Sequence, residues 1–99
     1  MNGINLLKCI CDDTRFEILE MLQEKKELCV NDFVEKMKKD QPLISHHLKT
    51  LKKCGIVKSR DRGKKSLYSI SSVQISDIIA NIIKASKKIP VLCKTNNCC

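Results

Sequence analysis

The sequence predicts a small, mostly α-helical domain that carries one β-hairpin. Three observations point there. Apolar residues recur at helical spacing through the first half of the chain, the period changes just after Gly55, and helical spacing returns from Ile75. At 99 residues the chain fits one domain, of a size that buries only about two-thirds of its unfolded surface.

A first short helix is expected over Asn2–Ile10. "CDDTRFEILEMLQEK" follows, with Asp12 or Asp13 as N-cap, acidic groups near the positive end of the helix dipole, and Ile18, Leu19 and Leu22 on the buried face. Val30, Phe33, Val34 and Met37 fall at i, i+3, i+4 and i+7, which predicts a helix over 30–38. In "KDQPLISHHLKTLKKCG", Asp40 suits an N-cap, Pro42 a first helical turn, and Gly55 a left-handed stop, giving a helix over 41–53. At about 100° per residue, Ile44, Leu48 and Leu51 share one face of it. Pro42, Ser45, His46, Lys49 and Lys53 share the opposite face, with Gln41 and Lys52 on its shoulder. His47 lies on the apolar border beside Leu43 and Cys54, so the two histidines are expected to do different jobs.

"IVKSRDRGKKSLYSI" reads as two short strands around a tight turn at Asp61–Lys64, its tip carrying Arg60, Arg62, Lys64 and Lys65. In "SSVQISDIIANIIKASKK", Ile75, Ile78, Ile79, Ile82 and Ile83 form one helical stripe. Five isoleucines are more than a terminal helix on a small domain leaves exposed, so the stripe is expected to bury itself against a second copy of the chain. The organisation expected is therefore a domain over 1–89 and a Cys-rich tail over 90–99.

Nineteen Lys and Arg against eleven Asp and Glu give a net charge of +8, which favours anionic partners, nucleic acid before membrane. No apolar run approaches the roughly 18 residues of a membrane span, and "MNGINLLKCICDD" lacks the layout of a signal peptide. A cytoplasmic protein without a membrane partner is expected. There is no C-x-x-C in a βαβ context, no nucleophile–base pair and no phosphate loop, so an enzyme is not expected.

Four helices, a basic hairpin and a last helix are the order of a winged helix-turn-helix. In that motif the helix over 41–53 enters the major groove. Gln41 and Ser45 suit base edges, with Pro42 and His46 beside them, while Lys49, Lys52 and Lys53 suit phosphates. Arg60, Arg62, Lys64 and Lys65 suit the flanking backbone or minor groove of double-stranded DNA.

The stretches "DDTRFEIL", "ELCVNDF", "QPLISHHLKTLKKCGIV" and "RDRGKKSLYSI" resemble the ArsR/SmtB family of metalloregulatory repressors, over about residues 5–88. The resemblance implies a homodimeric winged-helix repressor on an inverted-repeat operator, released when an ion or small inducer binds. Asp13 stands where the family usually has Pro, and Asp40 where it usually has Ser. Asn31 stands where its arsenic and cadmium sensors often have a second cysteine.

Seven cysteines cannot all pair internally, and in a cytosolic chain they more often bind metal or sense redox state than staple a scaffold. With Asn31 a poor ligand, Cys29 reads as a small buried hydrophobe. The family's zinc site on the last helix needs His, and this helix offers only Asp77. Cys9 and Cys11 lie about 200° apart on a regular helix and converge only if the helix ends between them. Cys54 is expected to pack, or in the manner of the family's cadmium and lead sensors to join tail thiols. The tail carries Cys93, Cys98 and Cys99 as C-x4-C-C after Pro90. Three thiolates without a nearby His suit a trivalent As(III) or Sb(III) better than tetrahedral zinc. This trio is the expected inducer site, and Cys9, Cys11, Cys29 and Cys54 are the alternative donors. A redox or persulfide sensor, in which two cysteines join, and a soft-metal carrier remain the alternative functions.

Overall fold

The computed structural model describes residues 2–89. Helix α1 (Gly3–Ile10) is capped by Asn2, whose Oδ1 accepts from the Asn5 N–H at 2.9 Å. Asp12, not Asp13, caps α2 (Asp13–Lys25), its carboxylate accepting from the Arg15 N–H at 3.0 Å. Strand β1 (Leu28–Cys29) leads directly into α3 (Val30–Met37), where the Asp32 carboxylate accepts from the Cys29 N–H at 2.9 Å. That bond, with a second from the Cys29 thiol, holds the Asp32 carboxyl below its ordinary pKa.

Lys38, in the left-handed region at φ 55°, ends α3 and begins the turn into α4 (Gln41–Lys53). Only Lys38, Lys39 and Asp40 separate the two helices, so they must meet at a sharp angle. Asp40 occupies the N-cap with extended backbone but makes no side-chain capping bond. At the other end, the Gly55 N–H donates to the Lys52 carbonyl and the Ile56 N–H to the Leu51 carbonyl. With Gly55 at φ +80°, this is a Schellman stop. Buried Ile56 and Leu51 belong to the same core, as that motif favours.

Strands β2 (Val57–Arg62) and β3 (Lys65–Ile70) form the hairpin, in register from Val57 opposite Ile70 to Arg62 opposite Lys65. The loop is Gly63–Lys64, tighter and later than the Asp61–Lys64 turn expected, because Asp61 is still paired, with Ser66. Gly63 takes φ 64°, which a two-residue hairpin with Gly first requires. β1 pairs antiparallel with β3, giving the order β1-β3-β2. A two-residue strand carries no readable alternation, which is why sequence pattern misses it.

Helix α5 (Val73–Lys88) is capped by Ser72 and pinned to α2 by Gln23, whose amide donates to the Ser76 carbonyl (2.7 Å) and hydroxyl (2.8 Å). The core joins Ile18, Leu19 and Leu22 of α2 to Phe33, to Ile44, Leu48 and Leu51 of α4, to Ile56 and Val57, and to Ile79 of α5. The isoleucine stripe therefore corrects the expectation of a single interface. Ile79 is fully buried within its own chain, and Ile75 and Ile83 pack against the same core. Ile78 and Ile82 stay exposed, at 40% and 37%, as do Ile4 and Leu7 of α1. A face with two neighbours reads as one broad apolar stripe.

Candidate nucleic-acid interface

One face of α4 meets the core and leaves the other to solvent. Gln41, Pro42, His46, Lys49 and Lys53 are exposed, and Ser45 is half-buried beside them. Thr50 completes the face, its hydroxyl turned back to the His46 carbonyl at 3.1 Å. Lys52 donates to the Ser59 hydroxyl at 2.7 Å, tying the end of α4 to β2. At the hairpin end Arg62, Lys64 and Lys65 are exposed.

Arg60, also at the hairpin, has a partner within the chain. Its guanidinium grips Glu27 in two parallel bonds, Nε to Oε2 at 2.6 Å and Nη2 to Oε1 at 2.8 Å. The pairing raises the Arg60 pKa and lowers that of Glu27. Arg60 thereby braces the hairpin against the α2–β1 turn, with its side chain still 58% exposed.

The two histidines separate as expected. Their rings meet edge-on at 5.4 Å, but His46 is exposed while the His47 side chain is only 13% exposed. Burial pushes the His47 pKa below its ordinary 6.5, outweighing the nearby Asp12 carboxylate. His47 is thus a packing residue beneath the exposed face of α4.

Among the cysteines, Cys9 and Cys54 are joined in a disulfide, with Cα atoms 6.6 Å apart. Cys54 packs against the core, as expected, and the bond to Cys9 adds a tie to α1 that the sequence did not suggest. Helix α1 does end between Cys9 and Cys11, yet Cys11 is exposed and free and Cys29 is buried and free. Among the described residues no three His, Cys, Asp or Glu side chains gather as a metal site. Pro90 and the trio Cys93, Cys98 and Cys99 lie outside the described residues. No described helix is long and apolar enough to cross a membrane.

A helical core with a sharp turn between α3 and α4, a solvent-facing basic helix and a cationic hairpin is the geometry of a DNA-reading module. The family pattern "Bacterial regulatory protein, arsR family" matches residues 12–59. The arsenical resistance operon repressor of Staphylococcus aureus is 38% identical over 77 residues, covering 78% of this chain and 73% of its own length. The chain belongs to the ArsR family. An uncharacterized HTH-type transcriptional regulator of Methanocaldococcus jannaschii is 43% identical, with 75% of this chain and 83% of that one covered. Among solved structures, HlyU from Vibrio cholerae superposes with a TM-score of 0.80 at 27% identity, over 87% of this chain and 92% of that one. The repressor PagR of Bacillus anthracis does so at 0.74 and 26%, over 80% and 90%. This ArsR-family chain is a winged helix-turn-helix, DNA-binding transcriptional regulator of the repressor type.

Proposed function

We propose that the chain is a cytoplasmic homodimeric repressor that occupies an inverted-repeat operator and leaves it when a soft ion, As(III) or Sb(III), is taken up by cysteine thiolates. The observation that carries the DNA part is the solvent-facing side of α4, on which Gln41, Pro42, Ser45 and His46 precede Lys49 and Lys53. On this reading Gln41 and Ser45 meet base edges, and Lys49, Lys53, Arg62, Lys64 and Lys65 meet phosphates. Exposed Ile78 and Ile82, with Ile4 and Leu7, support a second copy as the other partner. The inducer part is supported by relatives named for arsenical and cadmium resistance. It assigns the thiolates to Cys93, Cys98 and Cys99, a donor set suited to a pyramidal trivalent ion. Residues 1–89 would then form the DNA-binding and dimer domain and 90–99 the sensing tail. Uptake needs deprotonated thiols, so apparent ion affinity should fall as pH drops.

One experiment tests both parts. Duplexes enriched from a random pool by the reduced protein are titrated with arsenite, with salt varied in parallel. The intact protein should release DNA, whereas the chain cut after Pro90 should bind equally well and fail to release. Lys49→Ala should weaken all sequences and lower the salt slope by about one, while Arg60→Ala should leave the slope unchanged. Release that survives truncation removes the tail from the mechanism. An unchanged slope in Lys49→Ala removes the assigned DNA face.

A further inference from the structure

We propose that Cys9 and Cys54 form a reversible modification site for a small-molecule disulfide, and that closing it weakens operator binding. Cys9 lies in the last turn of α1 and Cys54 is the C-cap of α4. Their Cα separation of 6.6 Å falls within the roughly 4.4–6.8 Å that a disulfide spans without moving backbone. Both residues are half-buried at the rim of the core, where a small thiol or disulfide can reach them. Cys11, two residues further on, is exposed and free, so closeness in sequence alone does not select the pair. What selects it is the packing of α1 against the end of α4.

The chemistry is thiol–disulfide exchange. The thiolate of one cysteine attacks a small disulfide, RSSR, forming a protein–SR mixed disulfide and expelling RS⁻. The second thiolate then attacks the protein sulfur of that bond, forming Cys9–Cys54 and expelling the other RS⁻. Two protein thiols are oxidised by two electrons, one RSSR is reduced to two RSH, and the two protein protons end on the released thiolates. Excess RSH runs the sequence backwards.

The consequence follows from position and rests on reading α4 as the DNA-recognition helix. Cys54 sits at the joint where α4 stops and the hairpin begins. Cys9 sits on α1, whose Ile4 and Leu7 are exposed apolar residues. A bond between them ties the reading helix to α1, whose exposed Ile4 and Leu7 are among the residues assigned above to contact with a second copy. Two reading helices must match two half-sites whose spacing the DNA sets. A covalent tie removes the freedom with which the reduced protein makes that match.

The test uses the full chain and duplexes enriched from a random-sequence pool by the reduced protein. Affinity is measured at fixed salt in excess reduced or oxidised glutathione, with peptide mapping under non-reducing conditions. The map should show Cys9 joined to Cys54, and the oxidised protein should bind at least fivefold more weakly, within the roughly 5- to 150-fold usual for coupled sites. Added dithiothreitol should restore binding. Cys9→Ala and Cys54→Ala should each stay in the reduced-like state under oxidant, with circular dichroism confirming the fold, and Cys11→Ser should respond in full. Equal or tighter binding after oxidation, a response that survives Cys9→Ala, or a cross-link mapped to another pair overturns the proposal. If the reduced protein enriches no sequence, the reading of α4 fails and takes the coupling with it. Enriched sequences bound equally by both forms sink the coupling alone.

Discussion

The His47 imidazole is packed between α4 and the start of α2 with its Nδ1 buried and without a hydrogen-bond partner. The Asp12 carboxylate is 3.9 Å away, beyond hydrogen-bond reach, while Arg15, Lys39 and His46 add positive charge nearby. Burial therefore dominates and depresses the folded pKa below 6.5. The unfolded chain takes up a proton as pH falls through about 6.5, and the folded chain refuses it. The contribution of His47 to stability is thus present above 6.5 and lost on the way down to the folded pKa. His47→Leu should flatten the fall in urea midpoint between pH 7.5 and pH 5 and leave operator preference unchanged. Asp12, its carboxyl lowered from 3.8 chiefly by the Arg15 N–H, keeps its contribution until pH falls below about 4, so the windows separate. Helical angle alone distinguishes His47 from His46, because both lie on one regular helix. The commitment of Arg60 was not legible, since its partner Glu27 lies 33 residues away and only the fold chooses it.

At the level of elements, α5 shows where periodicity stops informing. An apolar stripe predicts a buried helix face, and it does so whether the neighbour is the same chain or another. In the folded chain Ile79 goes inward at 0% exposed, whereas Ile78 and Ile82 turn outward. Consequently Ile78→Asp/Ile82→Asp should give a folded monomer, read as a halved mass in sedimentation with an intact circular dichroism spectrum. Ile79→Asp should instead unfold the chain, because a carboxylate placed in that core has no partner and its burial costs several kcal/mol. Loss of fold in the Ile78/Ile82 variant, or an unchanged mass, would count against this division of the face. The four helices before Gly55 were legible because each shows a cap or a period. Strand β1 was not, having only Leu28 and Cys29 to show.

For the molecule as a whole, the least legible feature is the link between Cys9 and Cys54. Nothing in their local sequence relates them, and their meeting depends on how α1 lies across the end of α4. Its energetic weight, however, follows from chain length. The bond closes a separation of 45 residues, and restricting that loop in the unfolded ensemble is worth about 4 kcal/mol. Against the roughly 5–15 kcal/mol of a typical domain, that is a large share for a chain of this size. Reduction should therefore lower the urea midpoint markedly, with the slope rising as the freed unfolded chain exposes more surface. Cys9→Ser and Cys54→Ser should match the reduced protein and lose all sensitivity to dithiothreitol, while Cys11→Ser should keep the full shift. Urea titrations followed by far-UV circular dichroism, in oxidised and reduced glutathione, measure this without DNA present. A midpoint that does not move on reduction would show that α1 is held on α4 by packing alone.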